Sequence, residues 1–339
     1  MTRIAVDAMG GDRAPRAPIA GALRALAELG DDDIVQLVGR PEVIEDTIRD
    51  LLATELAGGE FSRERVVIIP ASEAIDMAEK PSAVLRGKPD SSMRVGLQLQ
   101  TSGESDAFVS AGNTGAQMAL STLVLRLHEG LKRPAIAAVF PSARRPIVVL
   151  DAGANVDCAP AELVQFARLG SVYAEDLLGR ERPAVALLSI GEEAEKGNLA
   201  VKEAHQSLLS SGLNFVGNCE GRDLPRGEAA GHELDVVVCD GFTGNVLLKF
   251  YEGIAPFLIQ LVSERAGRDP REMASQLKEL DYAEYGGAPL LGVRGVSIIS
   301  HGRSDARAMK NAILVAKRAV TSDMNAHIGR RLAAGESAA

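Results

Sequence analysis

Five apolar runs in this 339-residue chain each break into a loop rich in Gly, Asn and Asp: AVDAMGGD from Ala5, FVSAGNTGA from Phe108, VVLDAGANVD from Val148, LLSIGEEAEKGN from Leu187 and VVVCDGFTGN from Val236. Between most of the apolar runs lie helical patterns. Ile19, Leu23 and Leu26 recur at helical spacing in Pro18–Leu29, and Leu163, Phe166, Ala167 and Val172 do so in Ala161–Leu178. Strand, loop, helix and strand in repetition predict an α/β fold with a mostly parallel sheet. Such sheets bind ligands at the carboxyl ends of their strands, where these five loops belong. They predict one composite, phosphate-sized site.

One pair breaks the rhythm. Only PSARRP separates Ile136–Phe140 from Ile147–Leu150, and a parallel crossover needs about ten or more residues, so an antiparallel hairpin is expected there. No Pro/Ser-rich linker and no repeat divides the sequence. It reads as a single large α/β domain over 1–339, with 246–285 a helical excursion and 331–339 a frayed tail. Within the excursion, VLLKFYEGIAPFLIQLVSERAG places Leu247, Leu248, Tyr251, Ile254, Leu258 and Leu261 on a helical face, and Pro256 is expected to bend it. A core or dimer helix and a surface for a membrane or acyl chain are both readings of that face.

The loops carry the chemistry. In DAMGGD, Gly10 and Gly11 permit a tight turn before a helix, where phosphate loops lie, while Asp7 and Asp12 suit capping and loop orientation better than anion contact. SAGNTGA offers Ser110, Asn113 and Thr114 at a helix start, as oxyanion ligands or simple caps. DAGANVD repeats the scheme with Asp151, Gly153 and Asn155, and DGFTGN with Asp240, Gly241, Thr243, Gly244 and Asn245. GEEAEKGN brings the one cation of these loops, Lys196, beside Gly197 and Asn198 and among Glu192, Glu193 and Glu195. An ammonium beside backbone amides can offset phosphate charge. His301 follows VSIIS near the end of the chain, with Ser304 close by.

A formal charge of -9 argues against nucleic acid as a partner. Basic clusters at Lys80/Arg86/Lys88, Lys132/Arg133 and Arg144/Arg145 are the local patches left for an anionic partner. Three cysteines without CxxC spacing suggest neither a disulfide framework nor a metal site, and fit a reducing cytoplasm. No leader pattern and no uncharged membrane-spanning stretch is expected. The absence of GxGxxG with an acidic ribose partner, GxxxxGK[ST], GxSxG and HExxH weakens dinucleotide, ATP and hydrolase readings.

DAMGGD, SAGNTGA, DAGANVD, KGN, DGFTGN, YGGA and HGRSD stand here in one order. Together they resemble the PlsX family, the bacterial phosphate acyltransferases of phospholipid synthesis, from the first strand into the last helix. The resemblance implies transfer of a long-chain fatty acyl group from acyl carrier protein to inorganic phosphate, giving acyl phosphate. It implies an α/β/α sandwich related to isocitrate/isopropylmalate dehydrogenase, a cytoplasmic homodimer, and no metal or cofactor. Family members with a hydrophobic helical hairpin docked on the membrane have a longer segment before YGGA, so contact with the inner membrane face is the option this chain's shorter segment tests. For the implied reaction, Lys196 and Asn245 are the choices for steadying the tetrahedral oxyanion, and His301 for protonating the leaving thiolate. Arg144 and Arg145 are the expected docking patch for the carrier protein.

Three rivals stand beside this reading: a nicotinamide-dependent hydroxyacid dehydrogenase, an acyl-enzyme transferase using Cys158, and a noncatalytic phosphate or lipid-precursor sensor.

Overall fold

Ile4, Ala5 and Val6 are fully buried, as a parallel strand covered on both faces requires. They form the middle of β1 (Arg3–Asp7) in a computed structural model that describes residues 1–57 and 62–336. The chain packs into two compact units, Met1–His128 with Tyr285–Asn325 and Glu129–Glu284 with Ala326–Ala339. No composition break marks those boundaries, which is why the sequence reads as undivided.

In the first unit β1 joins β2 (Ile34–Gly39), β3 (Val66–Pro70), β4 (Ala107–Ser110), β13 (Ala288–Leu291) and β14 (Ser297–Ile299), numbered along the whole chain, in the order β3-β2-β1-β4-β14-β13. All neighbours are parallel except β13 and β14. Its helices are α1 (Arg16–Ala25), α2 (Pro41–Ala53), α3 (Pro81–Gly87), α4 (Ser92–Thr101), α5 (Thr114–Val124) and α10 (Ala306–Thr321). The chain leaves β1 for β2 on one side, while β4 flanks β1 on the other. That reversal opens a crevice at the strand ends, where Asp7 and Ser110 stand.

The second unit holds β5 (Ala135–Ile136), β6 (Ala138–Phe140), β7 (Ile147–Leu150), β8 (Val185–Leu188), β9 (Phe215–Cys219), a small antiparallel pair β10 (Glu228–Ala229) and β11 (His232–Glu233), and β12 (Val236–Val238). Its main sheet runs β6-β7-β12-β8-β9. The hairpin expected from the short PSARRP connection is present: β6 pairs antiparallel with β7, Phe140 opposite Ile147. The other pairs are parallel, with Val237 between Val149 and Ala186. The helices are α6 (Pro160–Leu178), α7 (Leu199–Leu209), α8 (Gly241–Ala266), α9 (Pro270–Gln276) and α11 (Met324–Glu336), the last counted here from Ala326. On α6, Leu163, Phe166, Leu169, Val172 and Tyr173 are buried, and each such side chain contributes roughly 1.5–3 kcal/mol. In a chain without Trp this aliphatic packing forms the core.

The stretch 331–339, expected as a frayed tail, is helical as far as Glu336, and 337–339 lie outside the described residues. The excursion 246–285 is α8, α9 and two short turns of tighter helix. Helix α8 continues through Pro256 without interruption, and it is not a core helix. Its buried residues are Gly241, Gly244, Ala255 and Ser263, whereas Phe242, Val246, Phe250 and Phe257 are exposed. Among the described residues it is the helix long and apolar enough to cross a membrane, by length and composition alone.

Candidate functional site

In the first unit the loops after β1, β4 and β14 come together. Asp7 is buried, its Oδ1 accepting the Met9 N–H at 3.0 Å and its Oδ2 the Ser110 hydroxyl at 2.7 Å. Burial pushes its carboxyl above the ordinary value, against hydrogen bonds from Ser92, Ser110, Met9 and Gly10 that pull the other way. Ser110 also accepts the Gly112 N–H at 2.9 Å, which fixes the start of the next loop. Gly11 takes φ +102°, a conformation side chains rarely adopt. The turn it permits lets the Asp12 N–H donate to the Gly302 carbonyl at 2.8 Å, joining the first loop to the one after β14.

Asn113 caps α5, its Oδ1 accepting the Ala116 N–H at 3.0 Å, while its Nδ2 donates to the carbonyls of Met77 at 3.0 Å and Glu79 at 2.9 Å. Thr114 opens α5 and is exposed. His301 Nδ1 accepts the Arg303 N–H at 3.1 Å, so the neutral ring carries its proton on Nε2. Ser304 is buried, its N–H donating to the His301 carbonyl at 2.8 Å. The sequence thus places Asp7, Gly10, Gly11, Ser110, Asn113, Thr114 and His301 in neighbouring loops of this unit. Ser92, which also bonds Asp7, carries no motif that would have marked it.

The second unit gathers the loops after β7, β8 and β12. Asp151 is fully buried; its Oδ1 accepts the N–H groups of Ile136, Gly153 and Ala154, and its Oδ2 the N–H and Nδ2 of Asn155 at 2.7 and 2.8 Å. Burial pushes this carboxyl up as well, and the hydrogen bonds from Ala154, Ile136 and Asn155 oppose the shift in part. Asn155 Nδ2 donates additionally to the Pro134 carbonyl at 2.8 Å, so its amide holds the loop together. Asp240 caps α8, accepting the Thr243 N–H at 2.8 Å and the Thr243 hydroxyl at 2.9 Å. Gly244 packs α8 directly on the Asp151 loop: a Cβ there would lie 1.9 Å from the Asp151 carbonyl oxygen. That contact brings Asn245 beside Gly153.

Asn198 caps α7, accepting the Val201 N–H at 2.9 Å. Lys196 is exposed in the turn before it, and among the described residues no carboxylate pairs with it. The Asn218 amide donates to the Glu193 carbonyl at 2.8 Å and ties that turn to β9. Asp157, Cys158, Asn198, Asp240, Phe242 and Thr243 face a cavity of about 460 Å³. Of the apolar residues on its wall, Val156 and Phe242 lie within DAGANVD and DGFTGN, whereas Val201 lies in no motif.

One expectation changes and one rival reading falls. Arg144 pairs with Glu228 at 2.7 Å, and Arg145 with Glu233 at 3.3 Å and Asp235 at 3.2 Å, so the expected docking patch is neutralised by its own neighbours. Cys158 is no activated nucleophile: burial, with the charges of Asp151, Glu162 and Asp240, pushes its thiol up to about 12.

Two mostly parallel sheets, each ending in glycine-turn loops that run into capped helices, place the chain in the α/β class. Within that class, the chain belongs to the family described as fatty acid synthesis protein, which it matches over residues 2–327. It is 47% identical over 342 residues to the phosphate acyltransferase of Desulfitobacterium hafniense (strain Y51), covering 98% of both chains. Its fold is similar to that of a phosphotransacetylase from Streptococcus pyogenes, with TM-score 0.61, 19% identity and 94% of both chains covered. It is also similar to a putative 4-hydroxythreonine-4-phosphate dehydrogenase from Salmonella typhimurium, with TM-score 0.51, 13% identity, and 94% of this chain and 99% of that one covered.

Proposed function

We propose that this chain transfers a long-chain fatty acyl group from acyl carrier protein to inorganic phosphate, forming acyl phosphate. The observation that carries the reading is the near-full-length match at 47% identity to a phosphate acyltransferase. In the reaction an oxygen of HPO₄²⁻ attacks the thioester carbonyl. The tetrahedral adduct then expels the thiolate, and the proton lost by phosphate ends on the departing sulfur. No strong base is needed, because the second ionisation of inorganic phosphate falls close to neutral pH and leaves a large share of it as the dianion.

The loop geometry supports this chemistry. Asp7, Asp151 and Asp240 direct their carboxylates at their own loops' N–H groups, and the Ser110 hydroxyl and the Gly153 N–H are committed to Asp7 and Asp151 in the same way, so the neutral polar groups assigned to phosphate are Thr114 in the first unit and Gly197 in the second. Lys196 is assigned to the tetrahedral oxyanion together with Asn245, and His301 to the leaving thiolate, which its Nε2–H can hydrogen-bond while the proton lost by phosphate passes to the sulfur. Each assignment is separately testable. Lys196→Ala removes an exposed side chain, so folding should change by less than about 0.5 kcal/mol, while turnover should fall about 10²–10³-fold. Near-normal phosphate-dependent release of carrier protein would reject the assignment. Acyl carrier protein thioester, phosphate and enzyme should together yield hydroxylamine-reactive acyl phosphate.

The isocitrate/isopropylmalate dehydrogenase-like sandwich belongs to the same reading. So does a cytoplasmic homodimer, which the exposed apolar face of α8 supports. A membrane surface competes for that face. Light scattering tests the dimer and vesicle co-sedimentation the membrane. The dehydrogenase reading keeps only the fold in its favour, and an absorbance change on NAD reduction would be its sign.

A further inference from the structure

The cavity on the second unit has a chemistry of its own. Asp157 and Asp240 put two carboxylates on its wall, and its lining residues include no cation. Three of the four first-turn N–H groups of α8 are committed within the protein. Gly241 donates to the Asn155 carbonyl at 2.7 Å, Thr243 to the Asp240 carboxylate at 2.8 Å, and Gly244 to the Asp240 carbonyl at 2.9 Å. A phosphate dianion placed here would face two like charges with no cation among the lining residues to offset them.

A bare alkyl chain fits no better. It would cover Val156, Val201 and Phe242 but would also strip water from the two carboxylates and from Asn198. A ligand that alternates amides with short alkyl segments satisfies both kinds of wall. Asn198 Oδ1 is committed to the Val201 N–H, so its Nδ2 is the atom left to donate to a ligand carbonyl. The exposed Asp157 carboxylate can accept a ligand amide N–H. Phe242 and Val156, 62% and 63% exposed at the cavity, offer apolar surface to the segments between. The volume of about 460 Å³ falls within the range in which small ligands and cofactors are seated.

We propose that this cavity seats the neutral, amide-bearing pantetheine arm on which acyl carrier protein carries its thioester. The assignment rests on the acyl donor proposed above. It gives Asn198 and Asp157 the task of gripping the arm, and it separates the donor's binding place from that of phosphate.

The chain contains no Trp, so Phe242→Trp places a single tryptophan, excited selectively over the tyrosines, at the cavity, and Val156→Trp in a separate variant places one on another part of the wall. In the full-length protein, free pantetheine should change the emission of both reporters saturably, and inorganic phosphate at equal concentration should not. Asn198→Asp, built on a reporter, keeps a capping oxygen for Val201 but loses the amide donor. It should weaken pantetheine binding about tenfold, the size expected of one hydrogen bond to a neutral ligand. A response to phosphate but not pantetheine, silence of both reporters at millimolar pantetheine, or unchanged affinity in Asn198→Asp would overturn the assignment. Phosphate-dependent acyl transfer by the wild-type chain keeps the two readings apart. Turnover with silent reporters refutes the cavity's role alone, whereas saturable pantetheine binding without turnover upholds the cavity and refutes the acyl transfer.

Discussion

Gly244 and Gly253 lie nine residues apart by number on α8, yet the same substitution should act on them in opposite directions. A Cβ at Gly244 would lie 1.9 Å from the Asp151 carbonyl oxygen, 2.9 Å from the Asp151 carbonyl carbon and 3.1 Å from the Ala152 Cα. All three are backbone atoms, so no side-chain rotation relieves the clash. Normal contact requires the helix start to move away by more than about 1 Å, and overpacking of this kind costs about 1–3 kcal/mol or more. At Gly253 a Cβ would meet nothing within 4 Å, so alanine should bring its helix-propensity gain of up to about 1 kcal/mol.

Thermal unfolding reads the two effects, with about 2–4 °C per kcal/mol expected for a unit of this size. Activity adds a second readout. Asn245 and Asp240 ride on the displaced helix turn, and a misplacement of about 1 Å can cost on the order of 10²-fold in rate. Gly244→Ala should therefore melt several degrees lower and lose most phosphate-dependent thiol release, while Gly253→Ala should melt slightly higher and keep it. Equal melting temperatures and equal rates for the two variants would refute the close-packing argument.

The remaining expectations are separate tests. Asp33 is buried with its Oδ1 accepting the Lys317 ammonium at 2.8 Å and the Thr2 N–H at 2.7 Å. Burial opposes its charge, but those partners outweigh burial and hold the carboxyl below its ordinary value. Its contribution to stability is therefore present above the unfolded value of about 3.9 and is lost as pH falls through the lower folded value. Asp33→Asn should be less stable than wild type at pH 7 in urea titrations, and the gap should close under acid conditions. A gap independent of pH would contradict the pairing. With its thiol near 12, Cys158 should be alkylated by iodoacetamide about tenfold faster per pH unit through pH 9, and a plateau near 8.5 by mass spectrometry would show an ordinary thiol instead.

Much of this arrangement is legible in the residues. Ile4–Val6, Val236–Val238 and Ile147–Leu150 announce buried strands because each is an apolar run closed by Asp and a glycine turn. The strand β9 (FVGNC) and the strand β13 (APLL) escape that reading, since Gly, Asn and Pro inside a run weaken the strand signal that neighbouring strands restore. Arg144 and Arg145 looked like an open basic patch because Glu228, Glu233 and Asp235 are far along the chain. Cys158 looked activatable near a helix start because the carboxylates around it and its burial come from the fold.

By itself the sequence determined what local backbone chemistry and periodicity dictate: the alternation of strands and helices, the β6–β7 hairpin, the capping residues at Asn113 and Asp240, and the ordered motifs that place the chain in its family. Tertiary structure alone decided which charges are free and which are neutralised, that α8 turns its phenylalanines outward, and that Asp157, Asn198 and Phe242 share one cavity. The division has a physical cause. Caps and turns are contests among atoms a few residues apart, whereas burial, ion pairing and cavity lining depend on groups that meet only after distant segments have packed.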